Sequence, residues 1–266
     1  MCSKKKPCKG CVTCENCKDG KPCVITKDCK KCMKRKESCN TCVECKECEG
    51  NLCNRDDFKA IERRLMKGNR RFRKNNLQYP NIDRKRRKCT AINGQKPFAI
   101  VLSCADSRVP PELIFDTGIG DLFVVRVAGN IANTSSIASI EFAVAALGCQ
   151  YILVLGHEGC GAVKAAMSKD PAPSDNLSQL VGHILPAVSA CKCSCKAENN
   201  DYYTVSEKEK DSLEMVTKEN VIHSANELTR CSEIIRKAVN SSKVKIQTAY
   251  YNLGSGKVNF DIESGC

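Results

Sequence analysis

Two stretches decide how this chain folds: Phe98-Ala99-Ile100-Val101-Leu102-Ser103-Cys104-Ala105-Asp106-Ser107-Arg108 and Tyr151-Ile152-Leu153-Val154-Leu155-Gly156-His157-Glu158-Gly159-Cys160-Gly161. In each, a short, nearly unbroken apolar run is followed at once by a loop rich in chemically active side chains. A strand without polar alternation is one buried on both faces, and such strands belong to parallel sheets covered by helices. Residues 122–127 repeat the pattern, and residues 244–250 predict a fourth strand. Gly254 and Gly256 then turn the chain into a last short strand at 257–262.

Helical signals alternate with these strands. Residues 134–147 open with Thr134-Ser135-Ser136 as cap candidates, continue through Ile137, Ile140, Val144 and Leu147, and stop at Gly148. Residues 160–168 and about 212–239 are also expected to be helical. The expected class is α/β: a mainly parallel sheet core flanked by helices, preceded by a helical arm and a Cys-rich irregular N-terminal segment. Residues 168–211, with Pro171, Pro173 and the group Cys191, Cys193 and Cys195, read as an irregular insertion.

Composition divides the chain of 266 residues into three parts. Residues 1–53 hold 13 of the 22 Cys and a net charge of +6; residues 54–90 carry +10; residues 91–266 carry −3. An apolar content of 42% excludes a wholly disordered chain. No apolar run approaches the roughly 18–20 residues of a membrane-spanning helix. The basic start has no apolar stretch behind it, so no secretory signal is read and a cytoplasmic location is expected. In that setting dense Cys points to reduced thiols and metal rather than to disulfides.

The head, residues 1–53, has no apolar period and would be ordered only by cross-links. Cys8, Cys11, Cys14 and Cys17 are each separated by two residues, as are Cys29 and Cys32, and again Cys39, Cys42, Cys45 and Cys48. Paired thiols at this spacing reach one metal ion, so additional zinc is the first expectation, and an iron–sulfur cluster is the second metal, ranked below a metal-free tail. A Lys/Cys tail with reversible disulfides is the remaining reading. In the arm, residues 54–90, Phe58, Ile61, Leu65 and Phe72 lie at helical spacing, with Asp56 and Asp57 at the start. Pro80 and the run 84–88 are expected to form a connecting loop. The arm's charge would suit nucleic acid or an anionic surface, but docking of a basic helix on a dimer partner is preferred.

Cys104, His157 and Cys160 offer two thiolates and one imidazole, a three-ligand set for zinc with an open fourth position, which is the catalytic type. Asp106 lies two residues beyond Cys104, and Arg108 beside it would keep it ionised. Asp106 would then either accept a hydrogen bond at the open position or occupy that position as a ligand.

The runs Cys104-Ala105-Asp106-Ser107-Arg108-Val109-Pro110-Pro111-Glu112, Phe115 to Asn130, and Gly156 to Gly161 resemble the β-class carbonic anhydrases, and the resemblance extends over about residues 56–262. It implies one catalytic zinc on Cys104, His157 and Cys160 and an Asp106–Arg108 dyad. It further implies hydration of CO2 to bicarbonate and a proton, and a homodimer or higher homo-oligomer in which the arm embraces the neighbour. In part of that family the residue corresponding to Asp106 ligates zinc in a closed state. The rival readings are hydrolysis of CS2 or COS on the same scaffold, or an inactive metal-storage or nucleic-acid-binding protein. His183 and His223 are the remaining histidines and the only His candidates for moving protons.

Overall fold

A computed structural model describes residues 58–194 and 207–266 apart from 265, without the side chains of 192–194 and 207–210. The head at 1–53, with its proposed metal thiols, lies outside the described residues, as do Cys195 and the side chain of Cys193.

Five strands form one sheet in the order β2-β1-β3-β4-β5: β1 (Ala99–Ser103), β2 (Leu122–Arg126), β3 (Tyr151–His157), β4 (Lys245–Tyr251) and β5 (Val258–Phe260). The first four are mutually parallel and β5 is antiparallel to β4. Every residue of β1 and β3 is buried, as their unbroken apolar runs require. Successive side chains point to opposite faces. Ala99, Val101, Tyr151, Leu153 and Leu155 therefore join one core layer, and Ile100, Leu102, Ile152 and Val154 the other.

Nine helices are described: α1 (Phe58–Arg73), α2 (Arg84–Asn93), α3 (Pro111–Ile114), α4 (Thr134–Ala145), α5 (Gly161–Met167), α6 (Asp175–Gly182), α7 (Leu185–Ser194), α8 (Glu207–Cys231) and α9 (Glu233–Asn240). Ile137 and Ile140 of α4, Val221, Ala225 and Leu228 of α8, and Ile235 of α9 cover one face of the sheet. Ile61 and Leu65 of α1 cover the other.

The apolar stripe of the arm is thus buried against its own chain. An embrace of a neighbour would have to use its outer, basic face. Two features of the seam do not show in the apolar period. At Gly68 a Cβ would lie 1.8 Å from the Phe115 carbonyl oxygen, so backbone meets backbone there. Buried Asn69 donates through Nδ2 to the carbonyls of Gly256 (2.8 Å) and Ile114 (3.3 Å), and its Oδ1 accepts from Val258 N–H at 3.0 Å. The arm's charge also serves this docking: Arg71 pairs with buried Asp116, and Arg64 and Arg86 approach Asp121 at 3.2 and 3.6 Å.

Burial pushes the Asp116 carboxyl up, but the Arg71 hydrogen bond and the N–H groups of Gln78 and Tyr79 outweigh it and hold it below the ordinary value. A carboxylate lowered on folding contributes stability above its unfolded pKa of about 3.9, and that contribution is lost as pH falls through the lower folded value. Acid titration of Asp116→Asn, followed by unfolding in urea, should therefore show a smaller loss of stability below about pH 4 than the parent protein shows.

Four expectations are corrected. Residues 84–88 are not loop but the start of α2, capped by Asp83, whose carboxylate accepts the Arg86 N–H at 2.7 Å. The insertion at 168–211 is not irregular in its described part, because it carries α6 and α7; Ser174 caps α6 through the Leu177 N–H. The helix expected at 212–239 is broken at Ser232, whose Oγ caps Ile235 N–H and so begins α9. Cys191 is also not a free thiol: it forms a disulfide with Cys266.

A candidate metal centre at the sheet edge

β1 and β3 are hydrogen-bonded neighbours with Ser103 opposite Leu155. The chain beyond each strand therefore emerges side by side, at the C-terminal edge where parallel sheets place their sites. Cys104 follows β1, His157 ends β3, and Cys160 stands at the N-terminus of α5. Their ligand atoms all lie within 4.8 Å of one another, and all three residues are buried. The two sulfurs are 4.0 Å apart.

The surroundings prepare these atoms for a cation. His157 Nδ1 faces the Glu158 carbonyl at 2.9 Å, a contact that requires the proton on Nδ1 and leaves Nε2 with its lone pair. That Nε2 is buried and has no hydrogen-bond partner. Glu158 is itself held, its carboxylate accepting Leu253 N–H at 2.9 Å. Cys104 Sγ accepts Gly129 N–H at 3.3 Å. The hydrogen bond from Cys160 lowers the Cys104 thiol well below its ordinary value, against the opposing effect of burial. The same hydrogen bond, together with burial and the neighbouring charge, pushes Cys160 up. Two buried sulfurs so close share one proton, and a divalent cation removes the conflict by binding both as thiolates. The residues present fit zinc: soft thiolates, one unpartnered imidazole nitrogen and an apolar setting of Ile131, Val163 and Ile184.

Asp106 stands beside this group and is turned to Arg108. Arg108 Nε donates to Oδ1 at 2.9 Å, Nη2 to Oδ2 at 2.6 Å, and the Arg108 N–H to Oδ1 at 2.9 Å. These hydrogen bonds hold the carboxyl well below the usual carboxylate range. Of the two arrangements open to Asp106, the structure displays the pair with Arg108. His183 and His223 are not part of the Cys–His–Cys group.

Sequence reasoning missed Arg126 and Asn220. Arg126, at the end of β2, donates through Nε to the Cys104 carbonyl at 3.0 Å and through Nη2 to the Asp106 carbonyl at 2.5 Å, bracing the loop that carries both side chains. Its signal was a cation closing an otherwise apolar strand. Asn220, in α8, donates to the Gly129 carbonyl at 2.8 Å; its signal was an Asn within a long helix.

Comparison with known proteins follows the same residues. A family model described as "Carbonic anhydrase" matches residues 99–258. "Carbonic anhydrase 2" of Mycobacterium tuberculosis is 42% identical over 132 residues, covering 48% of this chain and 63% of the relative. The carbonic anhydrase of Mycolicibacterium smegmatis is 40% identical over 132 residues, covering 48% and 64%. The match thus spans just under two thirds of these relatives' length. Among solved structures, one of two tetrameric β-carbonic anhydrases from Sordaria macrospora superposes with a TM-score of 0.56 at 22% identity, over 78% of this chain and 96% of that one, a likeness of fold.

Proposed function

Because the chain belongs to the β-class carbonic anhydrase family, we propose that it catalyses the reversible hydration of CO2 to bicarbonate and a proton, with zinc held by Cys104, His157 and Cys160. The observation that supports this most is the buried meeting of two sulfurs with an imidazole nitrogen that has no other partner. A zinc ion held there supplies Lewis acidity, which makes water a competent nucleophile near neutral pH.

The chain's own residues supply the rest. The Glu158 carbonyl fixes the His157 tautomer. The N–H groups of Gly129 at Cys104, and of Ala162 and Val163 at Cys160, favour the thiolate forms. Asp106, kept ionised by Arg108, is an acceptor only. It therefore orients a nucleophile through that nucleophile's proton and disfavours an anion with no proton to offer. The apolar side chains around the sulfurs keep bulk water from the charges.

Homo-oligomeric assembly belongs to the same proposal. It is supported by the open edge of the sheet at β2, where Phe142, 54% exposed, packs on Phe123. No described helix is long and apolar enough to cross a membrane. Cytoplasmic residence belongs to the same proposal and is supported by the free thiols of Cys104 and Cys160, while the Cys191–Cys266 disulfide argues the other way.

Stopped-flow CO2 hydration, run beside zinc analysis of the full chain, tests it. Activity with at least one zinc per chain is expected. Zinc in excess of one, retained when Cys160 is replaced by Ala, would belong to the Cys-rich head, our proposed second metal region. A zinc-replete chain that hydrates CO2 no faster than buffer would overturn the proposal.

A further inference from the structure

α8 provides none of the three candidate ligands, yet it carries a polar side chain with no exposure at all. Asn220 is fully buried, and its Nδ2 donates a 2.8 Å hydrogen bond to the carbonyl of Gly129, 91 residues away in sequence. The N–H of that same glycine donates to Cys104 Sγ at 3.3 Å. We infer that Asn220 is a positioning residue of the metal centre, holding Gly129 so that its N–H stays aimed at the Cys104 sulfur. The inference rests on the proposal that Cys104 is a metal ligand.

Gly129 is the link that needs holding. It sits at φ 73°, ψ 15°, in the left-handed region. A Cβ there would lie 2.7 Å from Ile184 Cδ1 and 3.3 Å from Ala162 Cβ, so a stiffer residue is excluded by both torsion and space. A glycine bounded by soft torsions keeps one direction for its N–H only if its other peptide is tied; the Asn130 N–H of that peptide donates to the Val127 carbonyl at 2.9 Å, and Asn220 ties its carbonyl end. An N–H donated to a metal thiolate draws charge from the sulfur and fixes the direction of its lone pairs. Partners of this kind tune metal affinity without touching the metal.

A purely structural role accounts poorly for the choice of residue. Asn is disfavoured within a helix, and the Asn220 Oδ1 is buried without a partner. Leu would suit a helix interior better, but it could not donate a hydrogen bond.

The test measures zinc affinity by chelator competition on the full chain. The metal retained by Cys160→Ala is subtracted, so only the site of interest is read. Asn220→Leu removes the donor, and Asn220→Asp keeps the shape while replacing the NH2 by an acceptor. Leu228→Ala, a fully buried position further along α8, opens a cavity away from the relay and serves as the matched destabilised control. Both Asn220 variants should weaken the Cys160-dependent zinc by about 10- to 100-fold, and in cobalt-loaded protein they should shift the thiolate-to-metal charge-transfer band. Leu228→Ala should do neither despite a lower melting temperature. Affinity and spectrum unchanged in both Asn220 variants would overturn the positioning role while leaving the metal centre standing. Zinc that does not depend on Cys160 at all would overturn both.

Discussion

Replacing Cys160 by Ala should remove one zinc equivalent per chain and reduce CO2 hydration by about a thousandfold or more. The size of the effect follows from the make-up of the group. Cys104, His157 and Cys160 are the whole donor set brought together among the described residues, and two ligands do not hold a catalytic zinc well. The residual rate should be close to that of the metal-free chain, since Asp106 and Arg108 alone offer orientation but no Lewis acid. Folding should change little by comparison: Cys160 is a small buried side chain, and its removal leaves a cavity of one sulfur. Zinc content, activity and thermal unfolding measured on the same preparation separate the two effects. Loss of activity together with a large fall in melting temperature would assign Cys160 a packing role instead.

The second large effect concerns stability. Gly68→Val should destabilise the fold by at least about 3 kcal/mol, a sizeable part of the 5–15 kcal/mol typical of a domain. The Cβ would fall 1.8 Å from the Phe115 carbonyl oxygen, a backbone atom that cannot rotate away. To relieve the clash α1 must lift, and lifting it breaks the Asn69 hydrogen bonds to Gly256, Ile114 and Val258 and uncovers Ile61 and Leu65. Met66→Ala, two residues away at a position 50% exposed, should stay within about 0.5 kcal/mol. Urea unfolding of the two variants distinguishes a specific seam from a generally sensitive helix.

These residues also show how much of the fold the amino-acid sequence carries on its surface. The strands were legible because burial on both faces leaves an unbroken apolar run, as in β1 and β3. The Cys–His–Cys group was legible because its members follow directly on those strands. Legibility failed where polar contacts replace apolar period. α2 has no buried face and is announced only by its Asp83 cap. The break at Ser232 is hidden because apolar residues continue across it, while the hydroxyl that caps α9 is an ordinary residue in any helix. Gly68 and Asn69 act through a close approach and through hydrogen bonds to segments 45 or more positions away, which no local pattern records. The disulfide between Cys191 and Cys266 is likewise a pairing across 75 positions that spacing alone does not specify.

On the proposed reading, a metal held by Cys104, His157 and Cys160 makes this chain a CO2 hydratase. Stopped-flow hydration by the zinc-loaded chain and its Cys160→Ala variant, at equal concentration near pH 8, decides whether it does. Rapid acidification is expected with the first and a trace near that of buffer with the second. Equal traces from the two proteins would contradict it.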